Sequence, residues 1–273
     1  LKDEKNNWNI EGHPSRILKI TKQELKLFAK LIDDTDDYMS ARLPELHSME
    51  LIEVLKKMSD QKNYIGNTDN INLDYMWHET YAQSDGTIIR EVHFPGELMS
   101  HICSGPHIGV SNPTFKTPRA ICINKADYDN IDLSLIDGTY IPRSNYKMNI
   151  SQEEYIRCSP DTTWGKKHTD SYRLLCRKML NLKQERTLIS AIYPPNVGHI
   201  NAVSGFAFKN IDELALIAGT FSSIVFDFFI KILGKTNLYN DNSGKLPILS
   251  SKYNIDIELR ALLLNCITQY YSK

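Results

Sequence analysis

Apolar positions crowd together between Arg186 and Pro247, and the rhythm of the rest of the chain is set against that stretch. It begins with Arg186-Thr-Leu-Ile-Ser-Ala-Ile-Tyr193, turns at Pro194-Pro195 and resumes as Gly198-His-Ile-Asn-Ala-Val-Ser-Gly-Phe-Ala-Phe208. It then runs apolar almost all round from Ile211 to Leu233 before Leu246-Pro247-Ile248. The first run has a strand's length and β-branched content, and the prolines forbid its continuation. Asn210 as a cap, Glu213 at the third helical position and Gly234 past the far end predict one helix over 211–233. Its length would suit a membrane span. Asp227 deep in the run, with Gly219, Ser222 and Ser223 interrupting it, predicts instead a helix buried at the centre of an α/β domain with Asp227 hydrogen-bonded.

Ahead of this stretch, Thr21-Lys-Gln-Glu24 is a capping box that opens an amphipathic helix through about Ile32. The acidic Asp33-Asp34-Thr35-Asp36-Asp37 that follows lacks the alternating ligands and closing glutamate of a calcium loop and reads as a solvated turn. A second helix is predicted over 48–58, with Leu51, Ile52, Leu55 and Met58 on one face. From Leu73 to Phe94 two β-rich runs flank Ser84-Asp85-Gly86, the pattern of a hairpin. His101 to Arg119 holds three prolines and two glycines, so it reads as a stiff loop presenting His107, Asn112, Lys116, Thr117 and Arg119. Residues 127–146 continue the irregular region. Asp127, Asp129 and Asp132 there could hold Mg²⁺, although carboxylates in turns more often cap backbone amides. Residues 147–163 read as a linker or mobile loop. Trp164-Gly-Lys-Lys-His-Thr-Asp170 then leads into a predicted helix over 171–182, with Arg173 and Arg177 one turn apart and Lys178 beside them. A last amphipathic helix is predicted over 256–271, with Ile257, Ala261, Leu264, Ile267 and Tyr271 as its stripe. The expected plan is a mostly helical part over 1–69, an α/β (α+β) domain over 70–250 with a mixed sheet around the buried helix, and a C-terminal helix over 251–273.

Composition narrows the picture in two ways. The net charge of −1 hides an asymmetry: residues 1–100 carry 12 Lys+Arg against 18 Asp+Glu, residues 101–188 carry 13 against 9, and residues 189–273 carry 7 against 6. A basic middle fits a nucleic-acid surface confined to one region, and equally a solvated face. The five cysteines, Cys103, Cys122, Cys158, Cys176 and Cys266, are scattered without Cys-x-x-Cys spacing, which predicts reduced thiols in a cytoplasmic protein and no metal site. No signal peptide or lipidation motif is visible, and the chain begins at Leu1 without an initiator methionine, so it is expected to be a piece of a longer polypeptide.

No complete active site is legible. Gly234-Lys235-Thr236 ends a predicted helix instead of opening one, and Phe229 stands where a phosphate loop needs glycine. Tyr193-Pro194-Pro195-Asn196 is an amino-methyltransferase motif in reverse, and no glycine-rich cofactor loop accompanies it. Pro160-Asp161 is not followed by the carboxylate-x-lysine of a nuclease, and the histidines lack His-x-x-x-His spacing.

Several segments nevertheless carry a resemblance. Ser104-Gly-Pro-His-Ile-Gly-Val-Ser-Asn-Pro-Thr-Phe-Lys-Thr-Pro-Arg119, Asp127-Tyr-Asp-Asn-Ile-Asp-Leu133 and Tyr140-Ile-Pro-Arg-Ser-Asn-Tyr146 belong to it. So do Tyr172-Arg-Leu, Glu185 to Pro195, Ser222-Ser-Ile-Val-Phe-Asp-Phe228 and Leu246-Pro-Ile248. Together, across roughly 70–250, they resemble the C-terminal part of large adenine-specific DNA methyltransferases of the Eco57I-like group, from restriction-modification and phage-defence systems. The long helix followed by Leu-Pro-Ile is also similar to the close of target-recognition domains in type I specificity subunits. The resemblance implies a DNA target-recognition domain in a bacterial or archaeal, nucleoid-associated protein, with double-stranded DNA and an upstream methyltransferase domain as partners. The catalytic Asn-Pro-Pro-Tyr and the S-adenosylmethionine loop are missing, so the cofactor and any methylation belong to the parent protein. The residue types that read bases and grip phosphates mark Asn112, Lys116, Thr117, Arg119, Arg143, Asn145, Lys166, Lys167, Arg173 and Arg177 as candidate DNA contacts. The alternative is a scaffold that docks a neighbouring catalytic subunit through its acidic first part and final helix.

Overall fold

The structure, a computed structural model, describes residues 4–8, 10 and 17–272. The chain divides into two compact units, 1–62 and 63–273. In the first, α1 (Lys22–Phe28) opens as the sequence predicts. The Thr21 hydroxyl accepts from the Gln23 amide, and the Glu24 carboxylate accepts from the Thr21 amide at 2.9 Å. A π-helical turn, Ala29–Asp33, carries the helix on to Asp34, whose left-handed φ of 53° ends it. Arg42 folds back onto the Asp33 carboxylate at 2.5 Å. The second helix, α2 (Met49–Ser59), buries Ile52, Leu55 and Met58, and Lys56 reaches the buried Glu24 at 3.4 Å.

The larger unit is a mixed α and β structure. In chain order it contains β1 (Ile71–Asp74), α3 (Glu79–Ser84), β2 (Ile88–Ile89), β3 (Ile102–Cys103), β4 (Lys116–Pro118), β5 (Tyr128–Asn130), β6 (Lys147–Met148) and α4 (Gln152–Cys158). There follow β7 (Arg173–Arg177), β8 (Ser190–Tyr193), β9 (Gly198–His199), β10 (Val203–Phe208), α5 (Ile211–Phe221), α6 (Ile224–Leu233), α7 (Asn240–Ser243) and α8 (Asn254–Asn265). An antiparallel sheet in the order β1-β10-β7-β8 forms the centre, and three two-stranded pairs, β2-β6, β3-β9 and β4-β5, surround it. All of β10 and β8 and four of the five residues of β7 are buried, as strands covered on both faces must be. On one face Phe206 meets Phe221 of α5 edge-on at 5.9 Å. On the other, Leu175, Ala191, Tyr193 and Val203 pack with Cys103 of β3 and with Ile108 and Val197 of the connecting loops. The sheet therefore separates a helical layer from a layer of loops.

Four sequence expectations fail here, each for a physical reason. Residues 171–182 are not a helix: Arg173–Arg177 is β7, paired with β10 and β8. Pairing on both edges overrides a local helical pattern. Residues 73–94 are not a hairpin either. β1 joins the central sheet through β10 and β2 pairs with β6, while α3 fills the gap. The turn glycine is correctly placed, since Gly86 has φ +82°. Residues 147–163 are not a loop but β6 and α4, and Tyr155 of α4 is fully buried with its hydroxyl accepting from the Trp77 indole at 2.7 Å.

The fourth correction concerns 211–233, which is two helices bent by 74° rather than one central helix. Ser222 donates its hydroxyl back to the Ala218 carbonyl at 2.8 Å. Ser223 then caps α6 by accepting from the Phe226 amide at 3.2 Å. Hydroxyls that bond the backbone in this way compete with helix continuation. Asn210 caps α5 and Gly234, at φ 66°, closes α6, both as expected. Among the described residues no single helix is long and apolar enough to cross a membrane. Asp227 accepts from the Thr187 and Leu188 amides at 2.6 and 2.8 Å and pairs with Lys231 at 3.1 Å.

The last helix is shorter than the predicted 256–271 and stops at Asn265, with a 3-10 turn at Gln269–Tyr271. It packs on α5 so closely that a Cβ at Gly219 would lie 2.4 Å from the Ile257 side chain. Of its residues only Ala261 and Asn265 are buried, and Leu264 is exposed. Asn265 accepts from the Ile192 amide at 2.8 Å and the Tyr271 hydroxyl donates to the Ile192 carbonyl at 2.8 Å. Two side chains thus occupy the backbone groups that an edge strand, here β8, leaves open.

Candidate nucleic-acid interface

The loop layer is built on β3, which pairs in parallel with β9 at Ile102↔Gly198 and Cys103↔His199. A 3-10 turn follows at Gly105–His107, with Pro106 presetting its backbone. The Phe115 amide then donates to the His107 carbonyl at 3.0 Å and the Ser111 amide to Ser190 of β8 at 2.8 Å. The loop is held to the sheet by backbone bonds rather than left free. From it projects the β4–β5 hairpin, in register at Lys116↔Asn130 and Thr117↔Asp129.

The candidate contacts fall into three groups. Lys116, Thr117, Arg119, Arg143 and Asn145 come together around the hairpin. The Thr117 hydroxyl accepts from the Arg143 amide at 3.1 Å, and Thr117 itself is buried. Lys116 lies over the Phe115 ring at 5.4 Å, half-buried. Arg143 lies over the ring of Phe94 at 5.4 Å, and Phe94 is 79% exposed. Arg119 is exposed and bonds Asp129 at 2.8 Å; that carboxylate pushes the Arg119 pKa further up. Asn145 is buried beneath the hairpin, 3.9 Å from the Cys122 sulfur, so it positions the hairpin instead of facing outward.

A second group supports the first. The Asn112 side chain accepts from the Thr114 amide at 2.9 Å and forms the turn that starts the hairpin approach. Arg177 donates to the Ile108 carbonyl at 2.9 Å, and its guanidinium lies 5.6 Å from the Phe115 ring. His107 is buried; its Nε2–H donates to the Arg143 carbonyl at 2.8 Å and its Nδ1 accepts from the Ser104 amide at 2.9 Å. It ties the two polar loops together.

The third group lies apart from the hairpin. Arg173 is fully buried, and its guanidinium donates to the Val197 carbonyl with Nε and Nη1 left without partners. Burial lowers its pKa to about 10. A side chain in this position cannot follow a phosphate backbone. Lys167 donates to the Arg157 and Ser159 carbonyls at 3.0 and 2.8 Å and pairs with Asp161 at 3.0 Å, which locks the 161–167 turn onto α4. Lys166 is exposed in the same turn. Lys178 is buried, its ammonium 4.5 and 4.6 Å from the rings of Tyr75 and Tyr239.

The hairpin tip carries residues that the sequence reading passed over. Ile121 and Ile123 are 77% and 72% exposed, and Arg90 reaches across from β2 to the Cys122 and Ile123 carbonyls. Exposed isoleucines at a turn have no periodicity to mark them, and Arg90 is distant in sequence. The acidic residues here do local work: Asp127 accepts from the Ile123 and Asn124 amides at 2.9 Å, and Asp132 from Ser134 at 2.9 Å. These bonds lower the pKa of both, and they are the amide-capping role expected of carboxylates in turns.

Chemically the surface offers cations, an Arg–Asp donor and acceptor pair and two aliphatic tips on the hairpin and, beside it, Arg143 over the exposed Phe94 ring. No known family model matches the chain, and no curated protein matches it.

Proposed function

We propose that this chain is a DNA target-recognition domain that reads duplex DNA with the β4–β5 hairpin, within an adenine-specific methyltransferase of a restriction-modification or phage-defence system. The observation that carries the reading is that Lys116 and Arg119 stand on a hairpin whose Thr117 hydroxyl accepts from the Arg143 amide, so three cations lie on or beside one hairpin rooted in a loop tied to the sheet by backbone bonds. Lys116 and Arg143 supply charge for phosphates. The Arg119–Asp129 pair offers a donor fork matched to guanine and an acceptor matched to the cytosine amino group. Ile121 and Ile123 suit the role of apolar side chains that press against base steps. S-adenosylmethionine binding and methyl transfer fall to the upstream domain of the parent, which takes the adenine out of the stack while this domain grips the flanking duplex.

Selection from a random duplex pool tests this. The full chain should enrich a defined sequence, and Arg119→Ala should lose preference at about one position, corresponding to ~1–3 kcal/mol of discrimination. Enrichment of no sequence by the wild-type chain would remove the reading.

The exposed apolar residues of α8 favour a second reading, a scaffold that docks a neighbouring catalytic subunit. Ile255, Leu259 and Leu263 are 71%, 55% and 78% exposed. Charged substitutions there, with DNA binding unchanged but association with the methyltransferase part lost, would support docking as an additional task of the chain.

A further inference from the structure

We infer that His101, Cys103 and His107 form a metal site for Zn²⁺ at the root of the hairpin-bearing loop. Their ligand atoms all lie within 4.8 Å of one another and all three residues are buried. Four-coordinate zinc, with bonds of ~2.0–2.3 Å, needs donor atoms somewhat closer than this, a change that side-chain rotation supplies. Two imidazoles and a thiolate are the donor set that suits zinc rather than magnesium or calcium.

A second observation points to a ligand independently of the clustering. Neither ring nitrogen of His101 makes a well-aligned hydrogen bond although both are buried, and the Pro142 carbonyl is a polar neighbour of the ring. A buried imidazole with so little hydrogen bonding is costly in an apolar interior, and a bound cation at one nitrogen would relieve it. His107 already has the outer contact of a metal-bound imidazole: its Nε2–H donates to the Arg143 carbonyl at 2.8 Å, leaving the Nδ1 lone pair on the side of Ser104. Binding exchanges the Ser104 amide for the metal at that nitrogen. The Ser104 hydroxyl lies 3.0 Å from Nδ1 and 2.8 Å from the Tyr128 hydroxyl.

The binding step is a proton exchange with no redox partner. The Cys103 S–H bond breaks, a Zn–S bond forms, and one proton leaves to solvent for each ion bound. Because His101 and Cys103 flank Ile102, and His107 bonds the Arg143 carbonyl, the ion would lock β3, the 3-10 turn and the Arg143 loop together. Its role is structural, and it does not depend on what the hairpin contacts.

Cobalt titration of the metal-stripped full chain tests the proposal. The expected result is one Co²⁺ per chain with a thiolate-to-cobalt charge-transfer band, release of one proton per ion, and a higher thermal midpoint. The band should be displaced by Zn²⁺ and persist in Cys266→Ala. It should vanish in Cys103→Ala and fall sharply in His101→Gln; should either variant fail to fold, the wild-type titration and the remaining variant decide. Absence of the band in the wild-type chain, or its persistence in folded Cys103→Ala, would overturn the assignment.

Discussion

Asp227 shows how much a single buried charge can organise. It sits inside α6 and holds the Thr187 and Leu188 amides ahead of β8 while pairing with Lys231 and lying 3.5 Å from Arg186. Removing it leaves two amides and two cations without their partner, so Asp227→Ala should destabilise by about 3–5 kcal/mol in chemical denaturation. Asp256→Ala, at an exposed carboxylate, should stay within about 0.5 kcal/mol. His168 and His199 make a second expectation at this scale. His168 is buried with its Nε2 on the Asn72 side-chain amide oxygen, and its pKa is lowered to about 3, first by burial and then by Arg173. His199 is fully buried, its ring Nδ1 bonds the Ile200 carbonyl while Nε2 has no partner, and burial and then Arg173 lower it well below its ordinary value. Both bind fewer protons folded than unfolded, so stability is whole above the ordinary value of 6.5 and falls as pH drops below it. Each should contribute a slope of about 1.4 kcal/mol per pH unit between that value and its depressed one. Denaturation curves at a series of pH values should show this slope, and His168→Gln should flatten it; equal slopes in both proteins would exclude His168 as a source.

Elements were legible where local signals agreed with tertiary placement. The Thr21 box, the Asn210 cap, Gly234 and the prolines after Tyr193 each mark a boundary that the fold keeps. The misreading of β7 has a simple cause: a spacing of four puts Arg173 and Arg177 one turn apart on a helix and also on the same side of a strand. Only the partners β8 and β10, distant in sequence, decide between them. The run 211–233 is apolar on every side, so no periodicity could reveal its bend, although Ser222 and Ser223 carried the signal. At the α5–α8 crossing the contact is close enough to test. Gly219→Val should cost about 1–3 kcal/mol by overpacking against Ile257. Adding Ile257→Ala should recover part of that loss, giving a coupling of at least about 0.5 kcal/mol in the double-mutant cycle. Additive effects would mean that the two helices do not meet there.

At the scale of the whole molecule, the larger unit places a helical layer on one side of its central sheet and polar loops on the other. The stiffness of the 101–119 loop could be read from its prolines and glycines, but not which of its polar groups face outward. Thr117, Asn145 and Arg173 carry the chemistry of DNA contacts and are buried, because burial depends on neighbours brought in from other parts of the chain. Lys116, Arg119 and Arg143 remain around the β4–β5 hairpin, and the DNA reading rests on them. The most direct measurement is duplex binding by the full chain followed by fluorescence anisotropy across a range of salt concentrations. Log K should fall linearly with log salt, and Lys116→Ala and Arg143→Ala should each reduce the slope by about 1. No salt-dependent binding by the wild-type chain, or an unchanged slope in both folded variants, would contradict the DNA reading.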